Sequence, residues 1–204
     1  MLIKRIPAGV YAANCYILMD EVTKECAVLD PGGDPEDIDN YLSKIGAEVK
    51  YILLTHGHLD HTGAVGYFME KYKTQAHINE ADGRLIIENN FMLGPLKYKG
   101  QDVKLTMDVK ENTSFNIGSV AIEVIETPGH TPGGVCYKAE NNLFTGDTLF
   151  LRSIGRTDLT GGNFETLIHS IKSKLLVLDE AVNVYPGHGP MTTIGYEKEN
   201  NSFL

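Results

Sequence analysis

The sequence lacks the long apolar runs of membrane proteins, the signal-peptide core of secreted proteins and the excess of basic residues that is typical of nucleic-acid-binding proteins. Its 204 residues contain no apolar run long enough to span a bilayer, and residues 1–7 lack the apolar core of a signal peptide. Lys and Arg number 18 against 27 Asp and Glu, which gives a formal net charge of −9. Because phosphate binding requires a concentrated basic face, this balance argues against a nucleic-acid partner. The composition predicts a cytoplasmic protein without membrane or nucleic-acid partners, and it leaves the oligomeric state open.

Cysteine is also scarce. The three cysteines, Cys15, Cys26 and Cys136, are odd in number, widely spaced and set among apolar residues. This pattern predicts buried, reduced thiols and not a disulfide framework. At about 100 to 200 residues per domain, the length predicts a single domain that spans residues 1–204.

Metal-binding side chains, by contrast, are concentrated in one short segment. Residues 56–61, with the sequence H-G-H-L-D-H, place three imidazoles and one carboxylate directly after an apolar stretch. In an extended segment the side chains at i and i+2 point the same way, so His56 and His58 can bind one ion. Asp60 and His61 need only a turn to reach a neighbouring position. The segment therefore predicts a metal site.

Three further candidate ligands occur in one kind of setting, just past a strand-like run and beside glycine. If these strands end at a common edge, the loops bring all the candidates together. Seven ligands divide well between two ions: His56, His58 and His130 at the first, Asp60, His61 and His188 at the second, and Asp147 as the bridge. Imidazole and carboxylate without thiolate suit zinc, although iron and manganese are chemically possible. Asp30 also follows a strand, and we expect it to accept a hydrogen bond from a ligand imidazole.

Apolar periodicity and turn residues predict the remaining elements. Residues 2–6, 14–19 and 25–29 are expected to form an antiparallel meander, and residues 34–45 and 62–73 to form helices. Residues 89–108 show no clean period and form either a surface connection or a wall of the substrate cleft. His77 and His169 are expected to be packed or solvated. The other predictions are strands at 75–79, 113–117, 120–125, 134–138, 142–145 and 182–185, a loop to 162, and helices at 80–88, 164–178 and 194–199.

The motifs together resemble those of the metallo-β-lactamase-fold hydrolases. The matching segments are H-x-H-x-D-H at 56–61, G-H-T-P-G at 129–133, T-G-D-T-L-F at 145–150 and P-G-H-G at 186–189. Residues 155–158 and 200–204 resemble the short bacterial glyoxalase II-like branch, the hydroxyacylglutathione hydrolase-like proteins. This resemblance implies an α+β fold, a four-layer αββα sandwich in which two mixed sheets carry helices on their outer faces.

The resemblance also implies hydrolysis of a small thioester, a hydroxyacyl-glutathione or a related thiol ester. It places Arg156 where relatives carry a basic residue that contacts the substrate. A guanidinium can clamp a carboxylate, but a salt bridge to Asp158 is an equal alternative. Longer hydroxyacylglutathione hydrolases add a C-terminal helical domain that binds glutathione, and we expect this chain to lack it. Thioester chemistry is therefore better supported than glutathione specificity.

The metal site predicts a mechanism. Coordination lowers the pKa of bound water from 15.7 to about 7, so hydroxide is available to attack the thioester carbonyl. Asp60, as ligand and orienting group, and Asp147, as bridge, are the expected catalytic residues. Because a thiolate leaves readily, no dedicated proton donor is required.

Other functions share much of this pattern. A persulfide dioxygenase would use one iron held by His56, His130 and Asp147, and a lactonase would use a very similar ligand set. A β-lactamase is disfavoured because an export signal is missing and Asp147, not cysteine, occupies the bridging place. A non-catalytic metal-binding regulatory module is the alternative outside enzymes.

Overall fold

Two mixed β-sheets form the centre of the fold. The computed structural model describes residues 1–87 and 97–204. In the first sheet the strands are arranged in chain order, antiparallel from β1 to β3 and parallel from β3 to β5. These strands are β1 (Leu2–Ala8), β2 (Ala13–Met19), β3 (Glu25–Leu29), β4 (Glu48–Leu53) and β5 (Ala76–His77).

The second sheet has six strands in the order β15-β14-β11-β10-β9-β8. Only the β11–β14 pair is parallel. Its strands are β8 (Ser114–Ile117), β9 (Val120–Glu126), β10 (Val135–Ala139), β11 (Asn142–Gly146), β14 (Asn183–Pro186) and β15 (Thr192–Thr193). Two small hairpins complete the strands: β6 (Lys97–Tyr98) with β7 (Gln101–Asp102), and β12 (Leu149–Phe150) with β13 (Ser153–Ile154).

Helices cover the outer face of each sheet. The first group is α1 (Pro35–Ile45), α2 (Leu59–Thr62), α3 (Val65–Tyr72) and α4 (Glu80–Ile87). The second group is α5 (Phe164–Ser170), a π-helical segment (Ile171–Leu175) and α6 (Ile194–Asn200). None of the described helices combines the length and the apolar character that a membrane crossing requires.

Three apolar layers hold the sheets and helices together. Every residue of β2 is buried, because its side chains alternate between two of these layers. Tyr16 and Leu18 face the second sheet, whereas Ile17 and Met19 pack in the layer that contains Ile38 and other side chains of α1 and α3. The third layer joins the second sheet to α5, the π-helical segment and α6. The predicted four-layer αββα sandwich is confirmed.

The predicted antiparallel meander and α1 are confirmed, and α1 begins with Pro35 as expected. The three cysteines are buried free thiols, and burial raises the pKa of Cys26 and Cys136 to about 12. His77 packs between aromatic rings and contacts Asp108, and His169 is exposed. The expectations for these residues are therefore confirmed.

The predicted helix at 62–73 is wrong at its start. The chain instead forms α2, which contains Asp60 and His61, and then α3. At the break the Ala64 N–H donates to the Pro31 carbonyl, in the loop after β3, at 2.9 Å. A side chain at Gly63 would meet the Gly32 carbonyl of the same loop at 2.5 Å. Asp60 and His61 thus lie on a helical turn and not on a loop.

Three other predicted boundaries differ from the structure. The helix expected to reach residue 178 widens into the π-helical segment and ends at Leu175, where the Leu176 N–H donates to the Ile171 carbonyl. The strand at 75–79 is reduced to β5, since its outer side pairs only through a single bridge to Thr106. The loop before residue 162 contains β12 and β13. In the stretch 89–108, residues 89–96 lie outside the described part, and β6 and β7 follow.

Candidate metal centre

The predicted ligands follow the carboxyl ends of strands from both sheets. His56 and His58 come after β4, His130 after β9, and Asp147 directly after β11, while His188 follows β14. The loops of the two sheets also bond to each other, since the Val135 N–H donates to the Thr55 carbonyl at 2.9 Å. The structure therefore brings all seven predicted residues to one edge of the sandwich.

The first group of candidate ligands is a triangle of buried imidazoles. One ring nitrogen from each of His56, His58 and His130 lies within 4.8 Å of the other two. The Nδ1 atom of His58 and the Nε2 atom of His130 are 2.9 Å apart. No residue of this group is more than 4% exposed, so water has little access to it except from the cluster itself.

The second group consists of Asp60, His61 and His188, again with ligand atoms within 4.8 Å of one another. The Nε2 atom of His188 lies 3.3 Å from the Nε2 atom of His61 and 3.3 Å from Oδ2 of Asp60. His61 is fully buried, whereas the side chains of Asp60 and His188 are 23% and 31% exposed. This group therefore faces the solvent-accessible side of the centre.

Asp147 lies between the two groups. Its Oδ1 atom is 3.4 Å from Nε2 of His61, and its Oδ2 atom is 3.6 Å from Nε2 of both His130 and His188. Burial favours the neutral form of Asp147, but His61 and the other imidazoles outweigh burial and lower its pKa to about 2. Asp147 is thus an anion that reaches both groups, which is the position expected of the bridge.

Asp30 orients two of the imidazoles from outside the cluster. Its Oδ2 atom accepts a hydrogen bond from Nδ1 of His61 at 3.0 Å and another from the Thr55 hydroxyl at 2.6 Å. The same hydroxyl lies 3.0 Å from Nδ1 of His56. Because these contacts occupy the Nδ1 atoms, the Nε2 atoms of both rings are directed at the cluster. Asp30 also lies within 4.8 Å of His56 and His61, but its oxygens are already engaged by Thr55 and His61.

The charge states of the imidazoles differ between the groups. Burial, reinforced by the neighbouring imidazoles, lowers the pKa of His56, and burial and His130 lower that of His58 to about 4. Burial also opposes protonation of His61, but Asp147 and Asp30 outweigh it and raise its pKa. The hydrogen bond to Asp60 raises the pKa of His188. Neutral imidazole, the form that binds metals, is therefore favoured at His56 and His58.

The cluster fits a pair of divalent cations. The Nε2 atom of His56 and the Oδ1 atom of Asp147 are buried and, within the described ranges, have no hydrogen-bond partner. Buried polar atoms without partners are costly, and a bound cation would satisfy both. Imidazole nitrogens and carboxylate oxygens are a ligand set that zinc, iron and manganese accept.

A cleft of about 490 Å³ opens over the cluster. Ligands from both groups form its floor, and its wall is largely apolar, with side chains from the β1–β2 turn, the β12–β13 hairpin and the following loop: Tyr11, Phe150, Ser153, Ile154, Arg156 and Leu159. None of residues 98–108 lines it. The rest of the hypothesis that residues 89–108 form a wall of the cleft falls on residues that the structure does not describe.

Arg156 is at the edge of this cleft and makes the salt bridge that was its alternative role. Its guanidinium donates two hydrogen bonds to Asp158, at 2.8 and 2.7 Å, and both side chains are exposed. The Arg156 carbonyl lies 2.7 Å from Nδ1 of His130, so this ring points Nε2 at the cluster. The loop that carries Arg156 therefore also orients a candidate ligand.

Replacement of Asp30 by asparagine is expected to weaken metal binding. The amide would retain one acceptor oxygen for three donors, so His61 or Thr55 would lose its partner. Loss of such an outer contact typically lowers metal affinity by about 10- to 100-fold. Competition with a chromophoric chelator would measure the change. Asp20→Asn is the matched control, because Asp20 is a buried carboxylate that accepts backbone N–H groups far from the cluster; equal affinities in the two variants would contradict the expectation.

Sequence reasoning missed two groups that the structure places around the cluster. Thr55 precedes His56 and joins it to Asp30, and Asp82 of α4 contacts the loops of His56 and His130 from the other side. The position of Thr55, next to the first motif residue, was a usable signal. Nothing in the local sequence around Asp82 indicates its partners.

Known proteins are similar to this chain in sequence and in fold. The sequence model of the family described as the metallo-beta-lactamase superfamily matches residues 8–188, a range that contains all seven candidate ligands. The hydroxyacylglutathione hydrolase GloC of Haemophilus influenzae is 36% identical over 216 residues, which cover 100% of this chain and 98% of GloC.

Two solved structures are similar over nearly all of both chains. The BLEG-1 B3 metallo-beta-lactamase is 37% identical with a TM-score of 0.86, and the match covers 100% of this chain and 99% of that one. TTHA1623, solved in a di-iron-bound form, is 31% identical with a TM-score of 0.84 and coverages of 98% and 100%.

Proposed function

The chain belongs to the metallo-β-lactamase superfamily as a metallo-hydrolase, and from that premise we propose that it is a binuclear zinc enzyme that cleaves thioesters. The proposed substrate is a hydroxyacyl-glutathione or a related small thiol ester. One observation carries the proposal: two groups of three candidate ligands face each other, with the Asp147 carboxylate between them. The net charge of −9 supports the expectation that no nucleic acid is a partner.

In this proposal Asp147 and Asp60 have different roles at the metal centre. Bound divalent ions would supply a hydroxide at neutral pH and polarise the thioester carbonyl. Asp147 holds its negative charge between the two groups because its pKa is far below neutrality. Asp60 Oδ2, 3.3 Å from His188 Nε2 and partly exposed, is placed to bind a metal and to orient the nucleophile from the cleft side.

The cleft favours a leaving group that departs as an anion. Apart from the proposed ligands, the described residues that line it include one charged side chain, Arg156, and the hydroxyls of Tyr11 and Ser153. An amine must be protonated before it leaves, and a hydroxyl is a poor proton donor at neutral pH. A thiolate needs no such donor. The similarity to GloC supports a glutathione thioester as the first substrate to test.

Replacement of Arg156 by alanine tests whether this residue binds a carboxylate of the substrate. If the guanidinium binds a substrate carboxylate, Arg156→Ala should raise KM for S-lactoyl-glutathione by about 10-fold, since a charge-assisted hydrogen bond contributes roughly 1.5–3 kcal/mol. KM for an uncharged alkyl thioester should not change. Asp158→Ala is the control, because it releases Arg156 from its salt bridge and should lower KM for the anionic substrate. Equal KM changes for both substrates would assign Arg156 a structural role.

The function itself is tested by metal analysis joined to a substrate panel. Protein purified with and without air is assayed for zinc, iron and manganese, then for cleavage of S-lactoyl-glutathione, an alkyl thioester, a lactone and a β-lactam. Two metal equivalents with saturable thioester cleavage would support the proposal. His169→Ala, which removes an exposed histidine outside the cluster, should behave as the wild type.

Each alternative has its own result in the same assays. One equivalent of iron with oxygen uptake on a persulfide would replace the proposal with a dioxygenase. Faster cleavage of the lactone or the β-lactam would reassign the substrate while keeping the hydrolytic centre. Metal-loaded protein that hydrolyses none of the four substrates would favour a regulatory module.

A further inference from the structure

A buried carboxylate outside the seven candidate ligands connects two of the loops that carry them. Asp82 lies in α4 and is fully buried. Its Oδ2 atom accepts a hydrogen bond from the Gly57 N–H at 2.8 Å, and its Oδ1 atom accepts one from the Gly133 N–H at 2.6 Å. Each oxygen of one side chain thus holds a different loop.

Both loops belong to the first ligand group. Gly57 stands between His56 and His58, and Gly133 follows His130 by three residues. Movement of either backbone segment would change the 2.9 Å separation between the facing nitrogens of His58 and His130. Asp82 therefore binds the backbone of both loops whose separation sets the distance between His58 and His130.

The second ligand group is held by different contacts. Asp30 fixes the ring of His61, and the Ala64 N–H, just after α2, donates to the Pro31 carbonyl at 2.9 Å. These bonds tie α2 to the loop that follows β3, on the opposite side from α4. A change at Asp82 leaves them in place.

The helix that contains Asp82, α4, is held in place by apolar packing and by hydrogen bonds at its start. Ile86 of α4 packs into the apolar layer beneath the first sheet. At the start of the helix, the Asn79 side chain donates to the Val109 carbonyl at 3.0 Å and to the Glu126 carboxylate at 3.2 Å. Groups supported by packed secondary structure hold a site more closely than groups on free loops. The position of Asp82 is thus set by the sandwich and not by the ligand loops.

We propose that Asp82 is a positioning residue that sets the spacing of the first ligand group, His56, His58 and His130. The proposal rests on the metal centre of the proposed function. It requires an asymmetric effect, because loss of the Asp82 contacts should disturb one group and spare the other.

Asp82→Asn tests this asymmetry. The amide keeps the size of the side chain but replaces one acceptor by a donor, so one of the two N–H groups loses its partner. We expect the affinity for one equivalent of Zn²⁺ to fall by about 10- to 100-fold, while the affinity for the other equivalent is unchanged. Titration of metal-free wild type and variant against a chromophoric chelator measures both. His130→Ala and His188→Ala identify which step belongs to which group.

Gly133→Ala disturbs the same contact without changing Asp82. The added methyl group would lie 2.6 Å from the backbone nitrogen of Asp82 and 2.7 Å from its Oδ1 atom, so the loop or the carboxylate must move. This variant should weaken the same zinc equivalent. It decides the question alone if Asp82→Asn does not fold.

Asp20→Asn separates positioning from general stability. Asp20 is buried and accepts N–H groups from Val22 and Ser119, so its loss should lower the melting temperature and leave both zinc affinities unchanged. Equal loss at both equivalents in Asp82→Asn and Gly133→Ala, or no loss at either, would overturn the role of Asp82 alone. A wild type without measurable zinc binding would overturn the metal centre and this role together.

Discussion

Asp147→Ala is expected to lose turnover and metal together. The carboxylate oxygens of Asp147 lie 3.4 to 3.6 Å from imidazole nitrogens of both groups. Without it, the imidazoles of the cluster and Asp60 remain to hold two dications, and the two groups have no common ligand. We expect thioester hydrolysis to fall by on the order of 10³-fold, the upper range for loss of one preorganised electrostatic group. Metal content, measured by elemental analysis after gel filtration, should drop below two equivalents.

Asp147→Asn is the informative comparison. The amide keeps one oxygen that can bind a single cation, but its nitrogen cannot bind a second one. This variant should therefore retain more metal than the alanine variant while remaining slow. Asp158→Ala, which removes an exposed carboxylate beside the cleft, should keep its full metal content. A metal-free Asp147→Ala protein with wild-type turnover would show that the cluster is not the catalytic centre.

The grouping of the candidate ligands could be predicted because each one has a signal in its local sequence. His56, His58, Asp60 and His61 fall within six residues, and their spacing already limits where the side chains can point. His130, Asp147 and His188 each follow a strand, and strand ends are where a sheet collects loops from distant parts of a chain. The four-layer fold followed from the family resemblance, and the full burial of β2 shows its physical basis, since a strand between two apolar layers has no polar face.

What could not be predicted depends on contacts between segments far apart in the sequence. At the break between α2 and α3, the Ala64 N–H donates to the Pro31 carbonyl and Gly63 lies against Gly32, and no local propensity encodes these contacts. Asp82 resembles an ordinary helical acid until the loops at Gly57 and Gly133 are seen against it. The two roles considered for Arg156 are a contact to the substrate and a salt bridge to Asp158. Both side chains are exposed, and no sequence pattern indicates which way an exposed side chain turns.

Removal of metal is expected to abolish hydrolysis and to lower the melting temperature by about 10 °C. A ligand present at 1,000 times its Kd stabilises the folded state by about 4 kcal/mol. For a chain of this size, each kcal/mol shifts the melting temperature by about 2 to 4 °C. The effect should be large here because the metal-free cluster leaves buried atoms such as His56 Nε2 without a partner among the described residues. Differential scanning calorimetry of chelator-treated and zinc-restored protein measures the shift.

Addition of zinc to the metal-free protein should restore the melting temperature and the hydrolytic activity at different numbers of metal equivalents. The first ligand group is almost fully buried, whereas Asp60 and His188 of the second group are partly exposed. Filling the buried group relieves more desolvated polar atoms, so we expect it to restore most of the melting temperature. Activity should require both groups, because the proposed bridge at Asp147 needs a cation on each side. His77→Asn, which changes a buried histidine paired with Asp108 outside the cluster, controls for loss of a packed imidazole. Full hydrolysis by chelator-treated protein, or a melting temperature that does not respond to zinc, would contradict a metal centre in this cluster.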